Sequence, residues 1–275
     1  MLTRPIPSSG EELPVVGLGT WPMFDVGPQE RARAPLREVV RGLVAGGGRL
    51  IDSSPMYARA EEVTGALVED LGAREKTFLA TKVWTSGRER GIAEIRRSAE
   101  RLRTATIDLV QIHNLVDWKT HLETLRAMKA RGEIRYIGLT HYTDGALPEL
   151  ARILRAEGGI DFVQCAYSLS QRAAERMLLP AAAGEGVAVI LNRPVGQGGL
   201  FGRVRGRPLP EWARGFDCTG WAEFFLKYVL AEPAVTCVIP ATGDPLHMAQ
   251  NLAAGRGGLP DARQRQQMRE FWDGL

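Results

Sequence analysis

Asp52, Tyr57, Lys82 and His113 are the side chains whose types and order suggest chemistry, and each stands at or just past the C-terminal end of a segment that reads as a buried strand. Together they describe acid–base work on a carbonyl oxygen. When hydride reaches a carbonyl carbon, a proton must reach the oxygen, and Tyr57 is the natural donor. A free phenol, with a pKa of about 10, is too weak an acid for this near neutral pH. A lysine ammonium beside it favours the phenolate, so Lys82 is expected to lower that value and ease the transfer. Asp52 would hold Lys82 in place and keep it charged, while His113 would hydrogen-bond the developing alkoxide from the other side. In the oxidation direction Tyr57 becomes the base. Taken singly, each residue has a plainer reading: Asp52 a helix cap, Tyr57 a rim side chain, Lys82 a solvated strand end, His113 a satisfied core histidine. Their joint placement at strand ends favours a site.

Eight short aliphatic or β-branched runs are the expected strands: Val15–Gly19, Arg49–Asp52, Phe78–Lys82, Ile107–His113, Ile134–Thr140, Phe162–Ala166, Val187–Asn192 and Val235–Ile239. Between them, Leu36–Ala45, Ala60–Leu71, Ile92–Leu102, His121–Ala130 and Leu147–Glu157 have helical periodicity, and Gly46-Gly47-Gly48 and Gly158-Gly159 read as helix stops. Alternation of this kind builds a parallel sheet. Eight consecutive repeats in 275 residues favour closure into a single-domain (β/α)₈ barrel, which gathers its functional residues at the C-terminal ends of its strands. A doubly wound nucleotide-binding sheet is disfavoured, because Gly17-Leu18-Gly19 runs on into Thr20-Trp21-Pro22 with no Gly-x-Gly-x-x-Gly fingerprint. Residues 194–215, after the seventh strand, read as one long irregular loop rich in glycine and arginine, of a length that usually carries function.

Composition narrows the partners. The chain is 44% hydrophobic and 24% charged, and 35 basic against 32 acidic residues leave a net charge of +3, too small to argue for nucleic acid or an anionic membrane. Cys165, Cys218 and Cys237 show no paired spacing, as expected of reduced thiols in a cytoplasmic protein. Met1–Gly10 has no apolar stretch that reads as a signal peptide, and no run approaches the ~20 apolar residues that span a bilayer. His113, His121, His141 and His247 lie on separate units, so no metal site is expected. Oligomeric state is not legible.

Over nearly its whole length the chain resembles the aldo-keto reductases. The resemblance is carried by Gly17-Leu18-Gly19-Thr20-Trp21, Ile51-Asp52-Ser53-Ser54-Pro55-Met56-Tyr57 with Glu61-Glu62 and Gly65, Ala80-Thr81-Lys82, and Asp108-Leu109-Val110-Gln111-Ile112-His113. It continues through Ile134-Arg135-Tyr136-Ile137-Gly138, Gln164, Pro194-Val195-Gly196-Gln197-Gly198, Ile239-Pro240 and Asn251. It implies NAD(P)H-dependent reduction of aldehydes or ketones on a barrel, with Asp52, Tyr57, Lys82 and His113 as the catalytic tetrad. It also implies a cofactor groove drawn from Gly19, Thr20, Trp21, Asp52, Thr140, His141, Gln164, Asn192, Arg193, Pro194, Gly196, Gly198, Pro240, Thr242, His247 and Asn251. NADP(H) is the expected cofactor.

Several positions depart from the family pattern. Thr140-His141 stand where relatives carry Ser-Asn for the carboxamide, and Asn192-Arg193 where many carry an aromatic residue against the nicotinamide. The lysine and arginine that bind the 2′-phosphate correspond to Ala241 and His247, which leaves NAD(H) use open. Asp244 and Pro245 read as N-cap and first residue of a helix whose N-terminus favours anions. Arg193, Arg203, Arg205 or Arg207 is expected to pair with a cofactor phosphate. Trp21, Phe24, Trp84, Leu115 and Trp118 are expected to line an apolar substrate pocket, and a chain ending soon after Ala262–Trp272 leaves that pocket open. Two other readings stand beside the reductase: a cofactor-binding regulatory barrel with little turnover, and a non-redox isomerase or lyase.

Overall fold

Strands that are apolar on both faces need cover on both, and a parallel sheet rolled into a ring inside a jacket of helices supplies it. The computed structural model describes residues 1–275. An antiparallel hairpin, β1 (Thr3–Pro5) and β2 (Glu12–Pro14), precedes eight parallel strands. These are β3 (Leu18–Gly19), β4 (Leu50–Asp52), β5 (Phe78–Val83), β6 (Ile107–His113), β7 (Ile134–His141), β8 (Phe162–Ala166), β9 (Ala188–Asn192) and β10 (Val235–Val238). They pair in chain order from β3 to β10. Bridges Val16–Val238 and Gly19–Ala241 join the first strand to the last. Val15 and Gly17 already bond to β10, with the Gly17 amide donating to the Val238 carbonyl at 2.8 Å, so the expected first strand is extended along its length.

The helices are α1 (Glu30–Ala45), α2 (Ala60–Asp70), α3 (Arg88–Arg101), α4 (Trp118–Ala130), α5 (Leu147–Ala156), α6 (Leu178–Gly184), α7 (Gly199–Arg203), α8 (Trp221–Leu230), α9 (Pro245–Ala253) and α10 (Ala262–Asp273). α1 and α3 begin a turn or more before the apolar periodicity does, because their first turns are largely polar, and α4 begins three residues early, at the half-buried Trp118. At the expected glycine stop, the Gly46 and Gly48 amides return to the carbonyls of Gly42 and Leu43, each at 2.8 Å. Asp244 caps α9 by accepting the Leu246 amide at 2.8 Å, as its position before Pro245 predicted. Residues 194–215 are not one irregular loop. They contain α7 and the start of a 3₁₀ turn, Glu211–Phe216, seated on the core through Leu200, Val204 and Ala213. No helix is long and apolar enough to cross a membrane, and the three cysteines are buried and unpaired.

Two apolar layers result. The larger fills the space between ring and helices. The smaller lies inside the ring, built on Leu50, Phe78, Leu109, Tyr136, Phe162 and Ile190. Phe78, Tyr136 and Phe162 meet with centroids 5.6 to 5.9 Å apart. Ile6 and Leu13 of the hairpin join this inner layer at the strands' N-terminal ends and stopper the barrel there. Arg4 pins the stopper by donating to the Glu232 carbonyl at 3.0 Å. In α8, Lys227 is buried among carbonyls of Phe216, Asp217, Arg256 and Gly258 at 2.8 to 3.1 Å, tying together the segments that flank α8 and α9.

Gly65 lets α2 approach the end of α3: a Cβ there would stand 2.2 Å from the Arg101 carbonyl oxygen. Backbone cannot yield as a side chain does. Gly65→Ala is expected to cost roughly 1–3 kcal/mol, read as a lowered urea midpoint, and an unaltered midpoint would contradict the close approach.

Candidate active site

The centre of the site is an ion pair that water does not reach. Lys82, at the end of β5, donates to Asp52 Oδ2 at 2.6 Å and to the Ser53 carbonyl at 2.7 Å. Both side chains are buried. An isolated buried charge is very costly, so the remaining oxygen of the carboxylate must also be satisfied. Gln111 of β6 and Gln164 of β8 do this, donating to Asp52 Oδ1 at 2.9 and 3.0 Å. Four strands therefore converge on one carboxylate. Thr20, after β3, ties in the backbone by donating to the Asp52 carbonyl at 3.0 Å.

Two of the ammonium's three protons are used in these bonds. Lys82 Nζ stands 5.0 Å from the Tyr57 ring centroid, so the third is available to the phenol. Burial raises the Tyr57 pKa, and the Lys82 charge pulls it down. Burial wins, and the net value lies above that of a free phenol. This corrects the expectation that Lys82 would leave the phenol more acidic than usual. Burial works against the Lys82 charge, but Asp52 and Tyr57 more than offset it, and the net pKa is raised.

His113 closes the far side, its ring edge-on to Tyr57 with centroids 6.3 Å apart. Burial first, then the Lys82 charge and His141, press its pKa down to about 3, so the imidazole is neutral. Ser54 Oγ lies 3.4 Å from His113 Nδ1. If Ser54 donates, Nε2 carries the proton and faces the site as a donor. A neutral donor and a protonated phenol can together grip a carbonyl oxygen.

Beside this centre, Thr140 Oγ1 and Asn192 Nδ2 both donate to Gln164 Oε1, at 3.1 and 3.2 Å. Three of the amide and hydroxyl side chains expected in the groove, Thr140, Gln164 and Asn192, are thus brought together. Asn192 Oδ1 is buried without a partner. His141 turns back on its own loop and accepts the Thr143 amide at 3.2 Å. Arg193 lies over the Tyr142 ring at 4.3 Å. Pro194 and Pro240 are buried, while Gly196 and Gly198 adopt the left-handed conformation their loop requires. Gly19 and Ala241 are bridged, which sets the Pro240–Thr242 segment beside Gly19-Thr20-Trp21 at the same end of the barrel. Asn251 is buried in α9, whereas His247 is exposed and 3.9 Å from Asp244 Oδ2. Arg203 does not point to a groove: it covers Trp272 of α10 at 4.5 Å.

The expected pocket residues divide. Trp21, 49% exposed, lies 5.4 Å from Tyr57, and Trp84, 44% exposed, lies 6.3 Å from His113, so two indoles flank the polar centre. Phe24 is enclosed in the core and lines nothing, because the turn after Trp21 tucks its ring inward. Trp118 lies between Lys119 and Arg152, towards α5, and Leu115 is half-buried against the core. Sequence reasoning assigned no role to Gln111 or Ser54. Gln111 had a visible signal, since it is the amide within an apolar strand and shares a face with His113 two residues on.

Comparison with known proteins came out consistently. The family model described as Aldo/keto reductase family matches residues 15–272. The methylglyoxal reductase YeaE of Escherichia coli is 31% identical over 271 residues, covering 92% of this chain and 89% of that one. The aldo-keto reductase YhdN of Bacillus subtilis is 29% identical over 217 residues, covering 72% of this chain and 63% of that one. A crystal structure of an aldo-keto reductase from Klebsiella pneumoniae in complex with NADPH superposes with a TM-score of 0.81 at 25% identity, covering 99% of this chain and 96% of that one.

The neutral imidazole of His113 couples stability to pH. Its pKa is about 3 when folded, against an ordinary 6.5, so between those values the unfolded chain holds a proton that the folded chain lacks. This contribution is complete above the ordinary value and declines as pH falls towards the folded one. Denaturation midpoints across that window should fall less steeply in His113→Asn than in the wild type. Equal slopes would show that the ring is not held neutral.

Proposed function

Because the chain belongs to the aldo/keto reductase family, we propose that it reduces small aldehydes or ketones to alcohols with NADP(H), Tyr57 giving the proton. The reading is carried by the Asp52–Lys82 pair seated against the Tyr57 ring. When bound, the reduced nicotinamide supplies the hydride. The residues fit its carboxamide: Gln164 has one amide hydrogen unassigned, and Asn192 Oδ1 lacks a donor, so an acceptor and a donor are both wanted there. Thr140 and Asn192 hold the Gln164 amide in that orientation.

The substrate's oxygen would lie between the Tyr57 hydroxyl and His113. Both groups are neutral before reaction, so neither attracts an anion into the oxygen's place. As charge develops on that oxygen, the Tyr57 proton moves to it and Lys82 stabilises the phenolate left behind. Asp52 holds the ammonium at a fixed point throughout, so little reorganisation is required. The raised Tyr57 pKa keeps the donor loaded well into alkaline pH. Trp21 and Trp84 supply an apolar lining on either side. NADPH is the cofactor in the Klebsiella relative. In this chain, the corresponding α9 region offers Thr242 and an exposed His247 rather than lysine or arginine, so selectivity for NADPH over NADH should be modest.

Loss of absorbance at the reduced-nicotinamide band, followed with aldehydes that include methylglyoxal, tests the reading. Tyr57→Phe is expected to lower kcat by roughly 10²–10⁴-fold while the cofactor still binds. Undiminished turnover in that variant would refute the assignment of the proton donor.

A further inference from the structure

Resting on the reductase reading, a second cation at the mouth indicates which carbonyl compounds the site takes. Arg193 follows β9 and is half-buried, and its guanidinium has the Tyr142 ring, at 4.3 Å, as its close contact. It makes no hydrogen bond or ion pair. Other partly buried arginines are treated differently: Arg33, Arg74 and Arg265 each meet a carboxylate at 2.9 to 3.0 Å. The arrangement at Arg193 is also held at a cost. Its φ is +52°, in the left-handed region that a side chain normally avoids, and such strain persists where it aims a group. Tyr142 is in turn stacked on His141, with centroids 5.6 Å apart and planes 24° from parallel. Three side chains from the ends of β7 and β9 thus form a pile that holds the guanidinium flat.

The surroundings specify the charge of its partner. Its chain neighbour Asn192 donates to Gln164, which donates in turn to Asp52, so Arg193 follows directly on the network that holds the Lys82–Tyr57 centre, and its charge works to lower the Tyr57 pKa. Lys82, the other cation there, is matched by Asp52. Burial favours the neutral forms of His113 and His141. Arg193 is therefore the unmatched charge of this cluster, close to where the substrate's oxygen would lie. We propose that Arg193 receives an anionic group carried by the substrate, so that the preferred substrates are aldehydes or ketones bearing a carboxylate. A stacked guanidinium presents a planar, pre-organised fork, which pairs with both oxygens of such a group.

4-Carboxybenzaldehyde and its methyl ester differ chiefly in charge, so the ratio of their kcat/KM values cancels losses common to both. The wild type is expected to favour the acid. Arg193→Gln should lower that ratio roughly tenfold to a hundredfold, mainly through KM, and Arg193→Lys should keep part of it. An unchanged ratio overturns the proposal. An unchanged ratio with weaker NADPH binding assigns the guanidinium to a cofactor phosphate instead, and overturns it equally. Turnover of the neutral ester by the wild type judges the reductase reading separately. Binding of 4-(hydroxymethyl)benzoate, followed by tryptophan quenching in the NADPH-bound protein, needs no turnover, and an affinity undiminished in Arg193→Gln would also overturn the proposal.

Discussion

A buried ammonium bound to a buried carboxylate governs this molecule's working end. Lys82 and Asp52 have lost nearly all contact with water, and only a full set of fixed dipoles makes that tolerable. The set comes from far apart in the chain. Ser53 follows β4, Gln111 sits in β6, and Gln164 in β8 is itself oriented from β7 and β9. No two adjacent strands could supply all of it. Closure of the sheet is therefore an electrostatic requirement as well as a way of burying apolar side chains.

The same dryness shapes the neighbours in opposing ways. It penalises the phenolate form of Tyr57 and the imidazolium form of His113, so both favour their neutral, hydrogen-donating states. Lys82 works against the first effect and with the second. The result differs from simple acidification of a phenol. A donor is kept loaded and a cation is kept beside it, to be felt most strongly after the proton has left. Fixed charges act with little screening in such surroundings, and their alignment precedes the reaction.

Much of this was legible in the residue order, for identifiable reasons. Strands buried on both faces appear as short aliphatic runs whose ends are sharp, so all eight barrel strands and the residues at their tips stood out. The starts of α2, α5 and α9 were legible too, whereas those of α1 and α3 were not, because polar first turns such as Glu30–Pro35 carry no apolar period. The hairpin that seals the barrel was missed: Ile6 and Leu13 are isolated apolar residues among prolines and serines. Phe24 shows the limit of assigning a pocket by residue type, since an aromatic side chain after a strand can turn inward as readily as outward. Position along a strand says which face a residue takes. It does not say that amides from β6 and β8 will meet on the same oxygen atom, because that depends on the stagger of the closed ring.

The stopper of Ile6 and Leu13 has a consequence for traffic. With the bore filled by packed side chains and its floor shut, the barrel leaves a single doorway at the opposite rim, so everything that enters also departs there. Any two guests that share this vestibule must queue.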